Sequence, residues 1–300
     1  MSDTGHILQS LAVNTVIAIS KFIAAGFTHS GAMLAEAIHS ASDCANQLLL
    51  LFGVRQAKRK PDASHPLGYG RELYFWSFMV AMLLFTGGGV FSIYEGIHKI
   101  TNPEKELDHV EVGLAVLGIA LLLEGYSTIS NIRELNKRRK GVPFMRYLRE
   151  TKDSDLILVF GENGAATAGL LFALIATLLA KFTGNMMWDG IGGLAVGVVL
   201  VGVAFFLAFE VKSLLVGEAA DDEVTRAVKD AATASKHIGE VLRLITVQQG
   251  PGEIMVACKV RLESEISGKE MVAAINAFER DVKARCPAVV WSFVEPDDQV

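Results

Sequence analysis

The most restrictive feature of this sequence is the segment from Leu34 to Gly53, an apolar run that contains ionisable residues. About 20 residues at roughly 1.5 Å each reach about 30 Å as a helix, enough to cross the hydrocarbon of a bilayer. Yet Glu36, His39 and Asp43 lie inside the run. Because His39 and Asp43 are one helical turn apart, a helix places them on one face, with Glu36 on the same side.

These three side chains point to a metal. A charged group at mid-membrane is costly unless a partner satisfies it. A carboxylate and an imidazole on one face are oxygen and nitrogen ligands for a divalent ion such as zinc. The alternative is a hydrogen bond between helices inside a bundle, but three ionisable groups within two turns favour a functional site. The sequence therefore predicts a divalent metal cation transporter with His39 and Asp43 as ligands.

Composition agrees with a membrane protein and excludes several other classes. The 300 residues are 51% hydrophobic and 20% charged, and the mean hydropathy is +0.37. The net charge of −5 gives no argument for nucleic acid, and the basic cluster at 137–140 is interpreted as an orientation signal that touches anionic lipid. The three cysteines form no CxxC pair, so neither a disulfide framework nor a thiolate zinc site is expected. The start of the chain does not resemble a cleaved signal or transit segment, so the first apolar stretch is expected to stay as a span.

Six apolar stretches approach or exceed the length of a membrane span. They run approximately over Ile7–Phe27, Leu34–Val54, Tyr74–Ile97, Val110–Ile132, Leu156–Phe182 and Met187–Leu215. Lys21 lies inside the first of them and is expected either to pair with an acid or to extend its amine to the membrane surface.

The loops differ in charge. Lys and Arg concentrate in the links between spans two and three and between spans four and five, whereas the other links are nearly bare of them. By the positive-inside rule the basic links face the cytoplasm. With six spans, both termini are then cytoplasmic, and we expect a multi-pass protein of the cell inner membrane.

After residue 216 the chain becomes polar and changes its periodicity. We predict a helix, two strands joined by a Gly-Pro-Gly turn, an amphipathic helix and a last strand. The predicted segments are Thr225–Ser235, Gly239–Gln248, Glu253–Leu262, Lys269–Arg285 and Ala288–Val294. The fold class is therefore an all-α six-helix transmembrane bundle (1–216) followed by a small cytoplasmic α+β domain (217–300), with the order αββαβ of a ferredoxin-like fold.

Two further pairs of residues are candidate ligands. Glu162 and Asn163 interrupt the fifth apolar stretch, but they lie about 100° apart around a helix and cannot both point directly at one ion. Asp62 and His65 lie three apart in a loop rich in Pro and Gly, where either a cytoplasmic metal site or a simple turn fits.

The sequence resembles the cation diffusion facilitator family over almost its whole length. The resemblance rests on the segments SGAMLAEAIHSASDCANQ, KPDASHPLGYGR and EVKSLLVGEA, which occur in the family's order. It is strongest to the branch that contains a mitochondrial zinc transporter. The resemblance implies a homodimer that exports zinc or a related divalent ion from the cytoplasm against a flow of protons. No cofactor is expected.

The resemblance also implies which residues form the site. Two positions on span two fall on His39 and Asp43, and two on span five fall on Val159 and Asn163. Val159 is apolar and Asn163 is an amide, where the family usually has His or Asp and then Asp, so Glu162 is a possible source of the missing charge.

The loop also departs from the family's pattern. Asp62 and His65 match the family's loop ligands, but Tyr69 stands where a third ligand, His, is usual.

Three alternatives stay open. The chain is either a zinc transporter, a transporter of iron, manganese, cobalt or cadmium, or a family member that no longer transports and serves as a dimer partner or metal sensor. An enzyme is not expected, because the sequence contains no nucleophile–base pair, phosphate loop or HExxH motif.

Overall fold

The computed structural model describes residues 3–102, 109–139, 141–150, 154–263 and 266–298, without the side chains of residues 3–10, 13, 149–150 and 154–159. The chain divides into two compact units. The first comprises Met1–Val54 and Phe75–Lys212, and the second comprises Arg55–Tyr74 and Ser213–Val300. The loop that links the second and third predicted spans thus groups with the C-terminal segment. The single boundary at residue 216 stays a prediction.

The first unit is helical. In chain order the elements up to the C-terminal segment are α1 (Asp3–Thr28), α2 (Gly31–Ala57), α3 (Glu72–Leu83), a π-helical segment (Leu84–Val90), α4 (Phe91–Thr101), α5 (Val110–Arg138), α6 (Phe144–Glu150), α7 (Ser154–Thr183) and α8 (Met187–Val216). The short helix α6 was not predicted and lies in the basic link between the fourth and fifth apolar stretches. The π-helical segment contains three consecutive glycines of the third apolar stretch, Gly87, Gly88 and Gly89.

Within the described residues, four helical stretches are long and apolar enough to cross a bilayer. They are Glu72–Thr101, Val110–Arg138, Phe160–Thr183 and Met187–Val216. The apolar part of α1 that is described, Asn14–Thr28, is shorter. Helix α2 has 27 residues, but its ionisable and amide side chains lower its hydropathy. The count of six spans therefore stays a prediction.

Helices α4 and α8 approach closely because glycines line their contact. A Cβ atom added at Gly96 would lie 2.4 Å from the backbone nitrogen of Leu194, and one added at Gly197 would lie 2.7 Å from that of Ile93. Any larger residue there would push the helices apart, and such small-residue contacts are typical of helix packing in lipid. The apolar core of the unit draws buried side chains from α1, α2, α3, the π-helical segment, α5, α7 and α8, among them Ala24, Met33, Leu117, Leu170 and Leu200.

The second unit contains a three-stranded sheet. Its elements are α9 (Asp222–Ala234), β1 (Ile238–Gly250), β2 (Glu253–Leu262), α10 (Gly268–Arg285) and β3 (Val289–Pro296), in the helix and strand order that the sequence predicts. Strand β2 lies in the middle, antiparallel to β1 and parallel to β3. Both helices share one core with the sheet, which includes Val228 of α9, Val256 of β2 and Phe278 of α10. Assignment to the ferredoxin-like class stays a prediction.

A capping box starts helix α10 and gives a prediction about stability. The Glu270 backbone N–H donates to the Ser267 hydroxyl at 3.3 Å, and the Glu270 carboxylate accepts from the Ser267 backbone N–H at 2.8 Å. We expect Ser267→Ala to cost about 1 kcal/mol of local stability and so to speed amide hydrogen exchange in α10 about fivefold. Ser267→Thr retains the hydroxyl and is the control. Equal exchange rates in the alanine variant and the unmodified chain would contradict the assigned role of the cap.

Candidate metal site

Helix α2 places the two strongest candidate ligands side by side. His39 Nδ1 lies 3.5 Å from Asp43 Oδ1. The His39 side chain is fully buried, and the Asp43 side chain is 18% exposed. Neither ring nitrogen of His39, nor Asp43 Oδ1, has a hydrogen-bond partner among the described residues. Because buried polar atoms are normally hydrogen-bonded, the unpartnered Asp43 Oδ1 and the ring nitrogen of neutral His39 that carries no proton are available to bind a metal ion.

Helix α7 contributes Glu162 next to this pair. Asn46 of α2 is fully buried, and its Nδ2 donates to Glu162 Oε1 at 2.9 Å. Asn46 follows Asp43 by three residues and therefore lies on the same helical face. The Asp43 and Glu162 carboxylates are close enough to act on each other electrostatically. One face of α2 thus presents an imidazole, a carboxylate and an amide, and the amide holds a second carboxylate in place.

Asn163 is located differently from Glu162. It lines a cavity of about 580 Å³ whose other lining residues belong to α5, including Asn131 and Glu134. The backbone carbonyl of Asn163 accepts a hydrogen bond of 2.9 Å from the Thr128 hydroxyl of α5. The side chain of Val159, the other position that the family resemblance implies, lies outside the described residues. The structure therefore brings Glu162, and not Asn163, into hydrogen-bonding contact with α2.

The donors do not form a closed metal centre. Among the described side chains, no three His, Cys, Asp or Glu residues are grouped closely enough to hold a metal ion. His39 and Asp43 form a pair, and Glu162 is engaged by Asn46. A bound ion would have to draw Glu162 toward the pair. The described donors therefore differ from the closed tetrahedral shell of a structural zinc site.

Glu36, the third ionisable residue of the stretch, is occupied elsewhere. Its Oε2 lies 3.2 Å from Lys21 Nζ of α1, and the same ammonium donates to the Ser40 hydroxyl at 2.7 Å. All three side chains are buried. Of the two possibilities that the sequence left open for Lys21, the structure shows the pairing with an acid.

The start of α2 is held by a buried acid from α8. Asp189 accepts hydrogen bonds from the Ser30 hydroxyl, from the Gly31 N–H at 2.5 Å and from the Ala32 N–H at 3.4 Å. A carboxylate at a helix N-terminus accepts hydrogen bonds from the N–H groups of the first turn and interacts favourably with the positive end of the helix dipole. Asp189 thus fixes the position of the helix that carries the candidate ligands.

The loop pair Asp62 and His65 belongs to the second unit and forms a compact turn. Asp62 Oδ1 accepts from the Ser64 N–H at 2.9 Å, the Ser64 hydroxyl at 2.6 Å and the His65 N–H at 2.9 Å. The Tyr69 hydroxyl donates to the other oxygen, Oδ2, at 2.6 Å. These bonds, those of Ser64 and Tyr69 above all, hold the pKa of Asp62 well below its usual range.

The same bonds bear on the predicted loop metal site. His65 Nδ1 is 3.8 Å from Asp62 Oδ1, so the two predicted ligands are neighbours. An ion bound there must compete with the Tyr69 hydroxyl for Asp62, and a metal role for this pair stays a prediction.

Sequence reasoning did not single out Asn46. Its signal was present, because positions 39, 43 and 46 follow the spacing of one helical stripe. The contact of Asp189 with the start of α2 joins residues that are far apart in sequence, so no local pattern predicts it.

Comparison with known proteins adds family information. Residues 7–216 match the cation efflux transmembrane domain. Metal tolerance protein C4 of Arabidopsis thaliana is 32% identical over 219 residues, which are 72% of this chain and 48% of that protein. The human mitochondrial proton-coupled zinc antiporter SLC30A9 is 27% identical over 262 residues, which are 87% of this chain and 46% of that protein. An uncharacterized transporter of Methanocaldococcus jannaschii is 27% identical over 284 residues, 91% of this chain and 92% of that protein. The chain spans about half the length of the first two relatives.

Proposed function

The chain belongs to the cation efflux family, near the branch of the mitochondrial zinc antiporter, and from this premise we propose that it transports a divalent metal cation, zinc above all, across a membrane in exchange for protons. The observation that carries the proposal is the buried pair His39 and Asp43, whose donor atoms lack partners among the described residues, next to Glu162. An imidazole and two carboxylates are ligand types that zinc takes in proteins.

The transport cycle follows from ligand chemistry. A metal ligand must be deprotonated, so a metal ion and protons compete for His39, Asp43 and Glu162. The cation binds when these groups have lost their protons, and protonation releases it on the opposite side. Movement of α7 relative to α2 is the step that closes the donor set, because Glu162 now rests against Asn46.

Direction, location and assembly are further parts of the proposal. The basic links favour cytoplasmic loops and termini in the cell inner membrane. Export of the ion from the cytoplasm is proposed from the family resemblance. Six spans and a homodimer are proposed from the family resemblance. The human relative is named as a mitochondrial zinc antiporter. Its name supports zinc as the transported ion here, but it does not determine in which membrane this chain resides.

The proposed exchange is tested in liposomes containing the purified chain. We expect zinc uptake driven by a pH gradient and abolished when a protonophore collapses it. In the absence of a gradient, lowering the pH by one unit should weaken zinc binding about tenfold for each proton displaced. Binding that does not change with pH would contradict proton exchange.

A second candidate function is a non-transporting family member that senses metal or partners a transporter. The family position on α7 is the neutral amide of Asn163, which lines the cavity beside α5 and supplies no charge to the site, and this favours the second candidate. Asn163→Asp separates the two candidates. Gain of transport in an inactive chain would support the second, whereas loss or altered selectivity in an active chain would support the first.

A further inference from the structure

Lys21 is a buried, positively charged side chain close to the proposed transport site, but it is not one of the proposed metal ligands. Its side chain is 1% exposed and contacts Glu36 and Ser40, both on the helix that carries His39 and Asp43. An ammonium cannot ligate a metal, and a buried one is stable only when paired. Its position beside a cation site therefore needs an explanation.

The electrostatic surroundings of Lys21 extend beyond its direct partners. The ammonium acts on Glu36, His39 and Asp43 of α2 and on Glu124 of α5. Lys21 is the buried lysine among the described residues of this cluster. Three carboxylates of the cluster, those of Glu36, Asp43 and Glu124, face its single positive charge. The charge of Lys21 consequently contributes to the affinity of the whole cluster for any further cation.

Glu36 is placed to become a ligand if Lys21 releases it. It lies one helical turn before His39, and its Oε1 has no hydrogen-bond partner among the described residues. That oxygen points to α7, where a Cβ atom added at Gly169 would lie 2.4 Å from it. Gly169 thus leaves room for the carboxylate at the same helix that carries Glu162.

On the basis of the proposed transport function, we propose that Lys21 is a fixed counter-cation of the site, which neutralises Glu36 and so limits how tightly a divalent cation is held and how many protons it displaces. Moderate affinity suits a transporter, because an ion that binds too tightly is not released. With Lys21 removed, Glu36 is either protonated or free to bind the ion. If Glu36 is protonated, the ion displaces one more proton when it binds. If Glu36 is ionised, it adds a carboxylate to the site, and the ion binds more tightly without releasing a further proton.

The test measures zinc affinity and the number of protons released per zinc ion, using the purified chain in weakly buffered solution. We expect Lys21→Met to bind zinc on the order of tenfold more tightly if Glu36 stays ionised, or to release one more proton per ion if Glu36 has taken up a proton. Lys21→Arg retains the charge and should match the unmodified chain. The double variant Lys21→Met/Glu36→Gln should return both quantities to within about twofold of the unmodified values.

A second variant keeps the test decisive if Lys21→Met does not fold. Glu36→Gln alone leaves the ammonium without its counter-charge, and we expect zinc binding to weaken about tenfold. Unchanged affinity and proton release in Lys21→Met, or unchanged affinity in Glu36→Gln, would overturn the counter-cation role. Equal losses of affinity in Lys21→Met, Lys21→Arg and the double variant would assign Lys21 to packing and overturn it too.

Asp43→Ala distinguishes this inference from the proposed function. If the unmodified chain shows no zinc binding that depends on Asp43, the transport site is wrong and the role of Lys21 falls with it. If binding depends on Asp43 but not on the charge of Lys21, only the present inference is overturned.

Discussion

Replacement of Asp43 by alanine should reduce proton-driven zinc transport by at least about 100-fold, since a direct ligand is expected to matter more than the outer groups whose loss costs about 10- to 100-fold. The carboxylate lies 3.5 Å from the His39 ring and is the charged member of the pair. Its loss removes one of the two carboxylates proposed to hold a doubly charged ion in a buried place and leaves only the His39 imidazole and Glu162. Uptake into proteoliposomes, normalised to the amount of folded protein, provides the measurement.

Two variants on the same helix serve as controls for this result. Asp43→Asn keeps the size of the side chain and removes the charge, so it should lose transport nearly as completely as Asp43→Ala. Ser42→Ala removes a buried hydroxyl that donates to the Ile38 carbonyl of its own helix at 3.0 Å, and it should stay within about twofold of the unmodified rate. Full activity in both Asp43 variants would reject the assigned site.

The second large effect is a loss of zinc affinity on α7, and it is expected for Glu162 but not for its neighbour Asn163. Glu162→Gln keeps an oxygen that can accept from Asn46 and removes only the charge, so zinc affinity should fall about 10- to 100-fold. Asn163→Ala removes an amide that lines the cavity beside α5, and affinity should change by no more than about threefold. Zinc titration of the purified variants gives both numbers.

The reverse ranking would also be informative. A large loss in Asn163→Ala together with a small one in Glu162→Gln would make Asn163 the ligand from α7, as the family resemblance implies. It would mean that α7 turns when the ion binds.

The pair on α2 could be predicted from sequence because its geometry is local. Residues four apart on any helix meet on one face, whatever surrounds the helix, so His39 and Asp43 were expected to be neighbours and are. The elements of the C-terminal unit were also accessible, since strand alternation and the amphipathic pattern of α10 depend on the core that they face. Their predicted ends differ from the observed ones by a few residues at most.

The partner from α7 could not be predicted in the same way. Glu162 and Asn163 differ by about 100° around their helix. Packing against α2 and α5 determines which of them faces α2, and a single sequence does not show how helices pack. The same reason applies to Lys21 and Glu36, whose 3.2 Å contact joins two helices. Likewise, the grouping of the loop Arg55–Tyr74 with the C-terminal segment depends on long-range contacts.

The most direct test of the proposed site is to locate the ion. Crystals of the chain grown with zinc, measured on both sides of the zinc absorption edge, show the position of the metal by anomalous scattering. We predict a zinc ion at about 2.0–2.2 Å from a ring nitrogen of His39 and a carboxylate oxygen of Asp43, with the Glu162 carboxylate drawn to the same ion. Zinc bound elsewhere in the first unit, with His39 and Asp43 empty at saturating zinc, would contradict the account.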